Sequence, residues 1–328
     1  MKVAVFSTKA YDEEYLGLAA AHSGHTLHYF AQPLNSDTAA LAQGYDAACV
    51  FVNDQVGTEV LKTLRAGGTK LVLLRCAGYN NVDLVAASEH GLTVARVPEY
   101  SPYAAAEHAV ALVLSLCRKT HLAYGRTTAG NFALDGLLGF TLSGKTVGVV
   151  GTGKIGAIFA RIMLGFGCNV LAYDLYPSDS LTQAGVQYVP LVDLWRNSDI
   201  ISLHCPLTPE TQHLINTESL SAMKDGVMII NTARGSVIDT PAAIAALETG
   251  RVGYLGLDVY EHEEELFFQD LSSDELTDEL MKSLLQHPNV LVTAHQGFFT
   301  HEALTTIAAV TLQNLDEFAD GETLQNAL

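Results

Sequence analysis

The sequence predicts an α/β protein built on open parallel sheets and divided into two units. Candidate strands alternate with helical stretches along nearly all of the 328 residues. Parallel sheets demand that order, because each connection must cross back over the sheet. One apolar run, Thr146–Val150, feeds straight through Gly151-Thr152-Gly153-Lys154-Ile155-Gly156 into a helical stretch from Ala157 to Gly165. Residues 1–145, a domain's length by themselves, come before that run.

In the first unit the predicted strands are Val3–Ser7, Leu27–Phe30, Ala48–Val52, Lys70–Leu74 and Thr93–Val97. Helical stretches such as Val56–Arg65 lie between them, and Gly67-Gly68 and Gly91 mark turns. Pro98-Glu99-Tyr100-Ser101-Pro102 breaks the alternation. A single long helix, Tyr103 to Tyr124, is expected next, with Ala109, Leu112, Val113 and Leu116 at helical spacing, bridging the two units. The second unit holds strands at Val147–Val150, Val170–Asp174, Gln187–Val189, Ile200–His204, Val227–Asn231, Leu255–Val259 and Val290–Thr293. The tail, His301 to Phe318, reads as a helix that returns to the first unit.

Composition narrows the function classes. An apolar fraction of 48% with 16% charged residues describes a folded globular chain. Eighteen basic against thirty-six acidic residues give a formal charge of −18, a surface that repels nucleic acid and anionic lipid. An anionic substrate therefore needs local positive groups, which makes single arginines informative. Ten acids fall between Asp258 and Glu279 with no Lys or Arg before Lys282, mostly a solvated face. Cys49, Cys76, Cys117, Cys168 and Cys205 form no C-x-x-C pair, which argues against disulfides and a zinc site. Met1–Ala10 reads as a strand without the pattern of a signal peptide, and Ala109–Cys117 is too short to span a bilayer, so a soluble cytoplasmic protein is expected.

A strand leading through G-x-G-x-x-G into a helix binds a dinucleotide. Gly151 permits the turn, Gly153 admits the pyrophosphate to the backbone, and Gly156 lets the helix pack closely. Asp174, eighteen residues past Gly156, suits the two ribose hydroxyls of NAD, and no base in Leu175-Tyr176-Pro177-Ser178 invites the extra phosphate of NADP. Ligands of such sheets lie beyond the carboxyl ends of the strands, where two further residues stand out. Arg234, in Thr232-Ala233-Arg234-Gly235, has the planar fork that holds a carboxylate. His295, after Val290–Thr293, becomes a proton donor near neutral pH once a carboxylate steadies its imidazolium. Glu261, Glu263, Glu264 and Glu265 are all available for that purpose. Together these groups describe hydride exchange between a nicotinamide and a carbonyl carbon, with a proton moving at the oxygen.

The sequence resembles the D-isomer-specific 2-hydroxyacid dehydrogenases, most closely their fermentative D-lactate branch. Besides the glycine loop, the likeness rests on Phe51-Val52-Asn53-Asp54, Leu74-Arg75-Cys76-Ala77-Gly78-Tyr79-Asn80-Asn81-Val82-Asp83, Val97-Pro98-Glu99-Tyr100-Ser101-Pro102 and Ala106-Glu107-His108-Ala109. It continues through Ser202-Leu203-His204-Cys205-Pro206-Leu207-Thr208, Asn231-Thr232-Ala233-Arg234-Gly235 and Asn289-Val290-Leu291-Val292-Thr293-Ala294-His295-Gln296. The resemblance implies two doubly wound domains, Rossmann-like and flavodoxin-like, with the active site in the cleft between them. Residues 1–100 plus 298–328 would form the substrate domain and 101–297 the NAD-binding domain. It implies a catalytic set of Arg234, Glu263 and His295, selecting Glu263 among the acids. It implies a carboxylate-binding loop at Ala77-Gly78, with Tyr100 nearby and Phe298-Phe299 as an apolar wall that suits a methyl group.

The cofactor contacts implied are Gly151, Gly153, Lys154, Ile155, Gly156, Asp174, Cys205, Pro206, Thr232, Ala233, Arg234 and Asp258, the last beside the nicotinamide amide. Thr211 stands where relatives often carry Asn on the adenine side. The implied reaction is reversible reduction of pyruvate to D-lactate by NADH in a homodimer or homotetramer, with a longer 2-oxo acid as the rival substrate. A non-catalytic NAD-sensing protein is the remote alternative, and it would lack the Arg–Glu–His set.

Overall fold

Leu71–Leu74 is apolar at four successive positions, and all four side chains are buried. A strand covered on one face would alternate; this pattern belongs to a parallel strand covered on both. The computed structural model describes residues 1–328 apart from the side chain of Glu265. The chain divides into two compact units, Met1–Ser101 with Phe298–Leu328, and Pro102–Gly297.

The first unit runs β1 (Lys2–Val5), α1 (Ala10–Ala20), β2 (Thr26–Tyr29), β3 (Ala47–Val50), α2 (Thr58–Ala66), β4 (Leu71–Leu74), α3 (Leu84–Glu89) and β5 (Thr93–Arg96). Its five parallel strands lie in the order β2-β1-β3-β4-β5. The order reverses between β1 and β3, which opens a crevice at the carboxyl ends of those strands.

The second unit runs α4 (Pro102–Arg118), α5 (Thr120–Thr128), β6 (Thr146–Val150), α6 (Lys154–Gly165), β7 (Asn169–Tyr173), α7 (Asp179–Gln183), β8 (Gln187–Tyr188), α8 (Leu191–Asn197) and β9 (Ile200–Leu203). It continues with α9 (Thr217–Ala222), β10 (Val227–Asn231), α10 (Thr240–Glu248), β11 (Val252–Leu257), α11 (Glu279–Gln286) and β12 (Val290–Val292). Its strands, all parallel, are ordered β12-β11-β10-β9-β6-β7-β8, so the reversal falls between β6 and β9. The glycine loop leaves β6 at that point.

The last helix, α12 (His301–Ala319), belongs to the first unit. Ala308, Leu312 and Leu315 complete the core made by Val3, Val5, Cys49, Leu71 and Leu73. Beyond it the chain lies antiparallel on β5: Ala95 bridges Ala327, and the Leu328 N–H donates to the Val94 carbonyl at 2.9 Å. That covers an otherwise open sheet edge.

One expected element is corrected. The stretch from Tyr103 to Tyr124 is two helices, broken at Lys119, whose φ of 53° is left-handed. The cause is the return of residues 136–140 against the end of α4. Phe140 N–H takes the Cys117 carbonyl at 3.2 Å, and Lys119 Nζ donates to Gly136 O at 2.9 Å. A Cβ on Gly139 would lie 2.1 Å from the Cys117 oxygen, so only glycine permits this approach. Strand ends also shift: β11 stops at Leu257 instead of Val259, because the Asp258 carbonyl turns to accept the His295 N–H at 2.7 Å.

Candidate active site

At the end of β6, Gly151 takes φ +87° and donates its N–H to Tyr173 O at 2.9 Å. A Cβ there would meet Cys205 N at 2.8 Å, and one on Gly156 would meet Gly151 O at 2.0 Å. The first glycine thus lets the turn pack on the backbone after β9, and the third closes the turn on itself. Gly153 differs: a Cβ would touch nothing within 4 Å, so this face of the loop is open to a ligand. The N-terminus of α6 starts at the next residue, with backbone N–H groups that favour an anion.

Asp174, just past β7, is tied to the same turn. Its Oδ2 accepts from Thr152 N at 2.5 Å and from Thr152 Oγ1 at 3.1 Å, while Oδ1 accepts from Tyr176 N at 2.8 Å. A carboxylate oxygen accepts more than one hydrogen bond, so Oδ1 retains capacity for a ribose hydroxyl. Beneath the loop, burial pushes the His204 imidazole down to about 3, so it is a neutral wedge. Its Nε2 lies 2.9 Å from Ser202 Oγ and its ring 4.9 Å from that of Phe159. Burial pushes the neighbouring Cys205 thiol up to about 11, which removes any thiolate chemistry. Thr211 uses its hydroxyl within its own loop, donating to Pro206 O at 2.6 Å and accepting from Thr208 N at 2.7 Å.

The remaining groups stand on three neighbouring strand ends. After β10, the buried Asn231 side chain folds the following loop: Oδ1 accepts from Ala233 N at 3.0 Å and Nδ2 donates to Arg234 O at 2.8 Å. Gly235 then packs against the backbone of residues 260–261, where its missing Cβ would lie 2.1 Å from Tyr260 C. This brings the loop of Arg234 against the loop of Glu263. Among the described residues, Thr232 Oγ1 is buried there with no hydrogen-bond partner. Such an orphan, beside an open Gly153 and a carboxylate with spare capacity, fits a polar ligand laid along this edge, as a dinucleotide would be.

His295 follows β12 in a left-handed conformation, φ 50°, an unusual backbone state for a residue that is not glycine. Its Nδ1 lies 2.8 Å from Glu263 Oε1, and Glu263 Oε2 accepts from Tyr260 N at 3.0 Å. Nε2 is the nitrogen left to face a ligand. Of the candidate acids, Glu261 pairs instead with His213 Nε2 at 2.5 Å.

Asp258 is more deeply engaged than the sequence indicated. Its buried carboxylate accepts from Thr293 Oγ1 at 2.6 Å, Gln296 N at 2.9 Å and Gly297 N at 2.8 Å, and pairs with His108 Nε2 at 3.1 Å. Burial alone would raise this carboxyl; His108, the Thr293 hydroxyl and the charge of His295 together hold it below the usual range. Asp258 therefore fastens the whole loop that carries His295. The sequence reading missed His108 in this part, although its spacing of four from Leu112 sets it on the buried side of α4.

In the five-stranded unit, Ala77 and Gly78 follow β4. Phe298 is buried, its ring centroid 5.6 Å from that of Phe51 and 6.5 Å from that of Tyr100. Phe299 is half exposed and meets the edge of Tyr11 at 4.8 Å.

Comparison with known proteins bears on the family. Residues 110–297 match the NAD-binding domain of the D-isomer specific 2-hydroxyacid dehydrogenases. The D-lactate dehydrogenase of Escherichia coli (strain K12) is 52% identical over 328 residues, covering all of both chains. The apo-structure of that species' D-lactate dehydrogenase superposes with a TM-score of 0.92 at 50% identity, again over the full length of both. A D-lactate dehydrogenase from Aquifex aeolicus, solved with NAD and lactic acid, gives 0.85 at 33% identity over 98% of this chain and 96% of that one. A parallel α/β protein with this glycine loop, and matched from end to end by such relatives, belongs to the D-isomer specific 2-hydroxyacid dehydrogenases and binds NAD through its middle domain.

Proposed function

We propose that the enzyme reduces pyruvate to D-lactate with NADH, reversibly, and that Arg234, Glu263 and His295 carry the chemistry. The observation that supports this most directly is the Glu263–His295 pair at 2.8 Å, on a backbone that sets the histidine in a left-handed turn. Bound NADH supplies the hydride that goes to the carbonyl carbon. The chain's own residues do the rest. Glu263 stabilises the imidazolium through Nδ1, so that His295 Nε2 presents a proton to the carbonyl oxygen as the hydride arrives. The product gains one hydride and one proton, and His295 is left neutral until solvent reprotonates it. Asp258 and His108 are positioning residues, since they act through the loop that holds His295.

Arg234 is the assigned anchor for the substrate carboxylate; its guanidinium donates to Ala233 O at 2.6 Å, which steadies it at the strand end. Ala77-Gly78 and Tyr100 are also assigned to the carboxylate. Phe298 and Phe299 are assigned as the wall beside the substrate's methyl group. Gly151, Gly153, Lys154, Ile155, Gly156, Asp174, Cys205, Pro206, Thr232, Ala233, Arg234 and Asp258 are assigned to the cofactor, Asp258 beside the nicotinamide amide. Thr211, with its hydroxyl held in the loop, would contribute no more than shape.

The enzyme is further read as a homo-oligomer. Tyr124, Phe132, Leu134 and Leu138 are all exposed, Leu138 at 88%, on one stretch of the second unit. Such apolar exposure on a chain of charge −18 favours a second copy as cover. Among the described residues no helix is long and apolar enough to cross a membrane. Five free buried thiols suit a reducing, cytoplasmic setting.

A steady-state comparison of pyruvate, 2-oxobutyrate, phenylpyruvate and hydroxypyruvate, with the lactate product assigned as D or L, tests the reading. The expected result is the highest kcat/KM for pyruvate and a D product. A higher kcat/KM for 2-oxobutyrate or phenylpyruvate replaces it with a longer-substrate dehydrogenase, and no turnover of any acid removes the enzymatic reading.

A further inference from the structure

The loop after β4 is held by its carbonyls. Arg96 Nη1 donates to Ala77 O at 2.7 Å, and Cys76 Sγ donates to Gly78 O at 3.3 Å. Among the described residues no peptide bond is cis, so in each peptide unit of this loop the N–H points opposite to the C=O. Fixing Ala77 O on one side therefore fixes the Gly78 N–H on the other, and fixing Gly78 O does the same for the Tyr79 N–H. Among the described residues none accepts from the N–H groups of Ala77, Gly78 or Tyr79. Three successive free N–H groups make a concavity suited to an anion. Arg96 also lies over the Tyr79 ring, 4.9 Å from its centroid, so one side chain grips both ends of this short loop.

Arg96 is itself locked from behind. Its N–H donates to Asn326 O at 3.1 Å, and its carbonyl accepts from Asn314 Nδ2 at 3.0 Å. Asn326 Nδ2 closes the ring by donating to Asn314 Oδ1 at 2.9 Å. Glu317 adds a second hold on the tail, accepting from Gln325 N at 3.0 Å. The last residues of the chain thus fasten the residue that aims the loop.

We infer that Arg96, clamped by the C-terminal tail, is a positioning residue for the substrate carboxylate, orienting the Gly78 N–H through the Ala77 carbonyl and lending positive charge to the N–H groups of residues 77–79. The inference rests on the assignment of Ala77-Gly78 to that carboxylate. In a molecule of charge −18, a guanidinium behind the anion loop also offsets the repulsion an incoming 2-oxo acid would meet.

The test is a split between pyruvate and cofactor. Arg96→Ala should raise the KM for pyruvate roughly ten-fold with kcat within about two-fold, the scale of one lost charge-assisted hydrogen bond. The Kd for NADH, read by its fluorescence, should not move. Arg96→Lys keeps the charge without the fork and should recover part of the loss. Removal of residues 325–328 should raise the same KM, and should add little to Arg96→Ala, because both act through one network. Tyr79→Leu, at a part-exposed ring, should also raise the KM, and it decides the matter where the other variants fail to fold. An unchanged KM for pyruvate in Arg96→Ala or, failing that, Tyr79→Leu overturns the inference. So does an equal weakening of NADH binding, the mark of general loosening. Inactivity of the unaltered enzyme toward every 2-oxo acid would instead overturn the underlying assignment.

Discussion

His295 is held from two directions, by Glu263 at Nδ1 and by the Asp258 carbonyl at its backbone N–H. The first hold is electrostatic and the second is geometric. As the proposed proton donor, it can be removed without disturbing the second. His295→Gln should therefore lower kcat by about 10²- to 10⁴-fold, the usual span for losing general acid–base catalysis. The Kd for NADH should stay within about two-fold, because the cofactor loop lies on a different strand end. Stopped-flow turnover and fluorescence titration separate these quantities; equal losses in both would make His295 a structural residue. At this scale the sequence alone left Glu261, Glu263, Glu264 and Glu265 open. The geometry distinguishes two of them, since Glu261 lies on His213 and Glu263 lies on His295. Spacing could not make that choice, because the turn at residues 260–263 depends on a carboxylate folding back onto its own backbone.

The glycine loop shows what an element imposes on its residues. Gly156 is required by packing, whereas a Cβ on Gly153 would meet nothing in the protein, although both belong to one motif. Gly156→Ala should lower Tm and weaken NADH together, since its Cβ would strike Gly151 O and overpacking costs about 1–3 kcal/mol. Gly153→Ala should leave Tm unchanged and still weaken NADH by roughly ten-fold or more, the effect of a methyl group intruding on the pyrophosphate. Thermal melts run beside titrations read both; a Gly153→Ala enzyme with normal NADH affinity would take the ligand away from that face. Elements were legible in the sequence where a strand was apolar at every position, as at β3 and β4, or where glycines bounded it. They were not legible where a distant segment intervened. Nothing local in Arg118-Lys119-Thr120 announces a helix break; residues 136–140 impose it by taking the Cys117 carbonyl. The role of Asp258 was hidden for the same reason, since its partners His108 and Gly297 lie far away in the chain.

For the molecule as a whole, charge and exposed apolar surface pull in opposite directions. A net charge of −18 opposes association, while Tyr124, Phe132, Leu134 and Leu138 favour it. Sedimentation should give at least twice the mass of one chain at moderate salt. Leu134→Asp combined with Leu138→Asp should give single chains, since a buried unpaired carboxylate is costly. A single-chain mass for the unaltered protein would discard the oligomer.

The division of the chain at residues 101 and 297 has a consequence for how the protein is made. The seven-stranded unit is one continuous segment, so it holds all of its core residues before α12 is made. The five-stranded unit does not: β1 to β5 are made before the seven-stranded unit, yet Ala308, Leu312 and Leu315 only after it. Until then an apolar sheet face and the edge of β5 stand uncovered, the kind of surface that chaperones hold and that aggregates when they do not. Order of synthesis and order of completion thus differ: the five-stranded sheet is made before the seven-stranded unit, and its core is completed by a helix made after it.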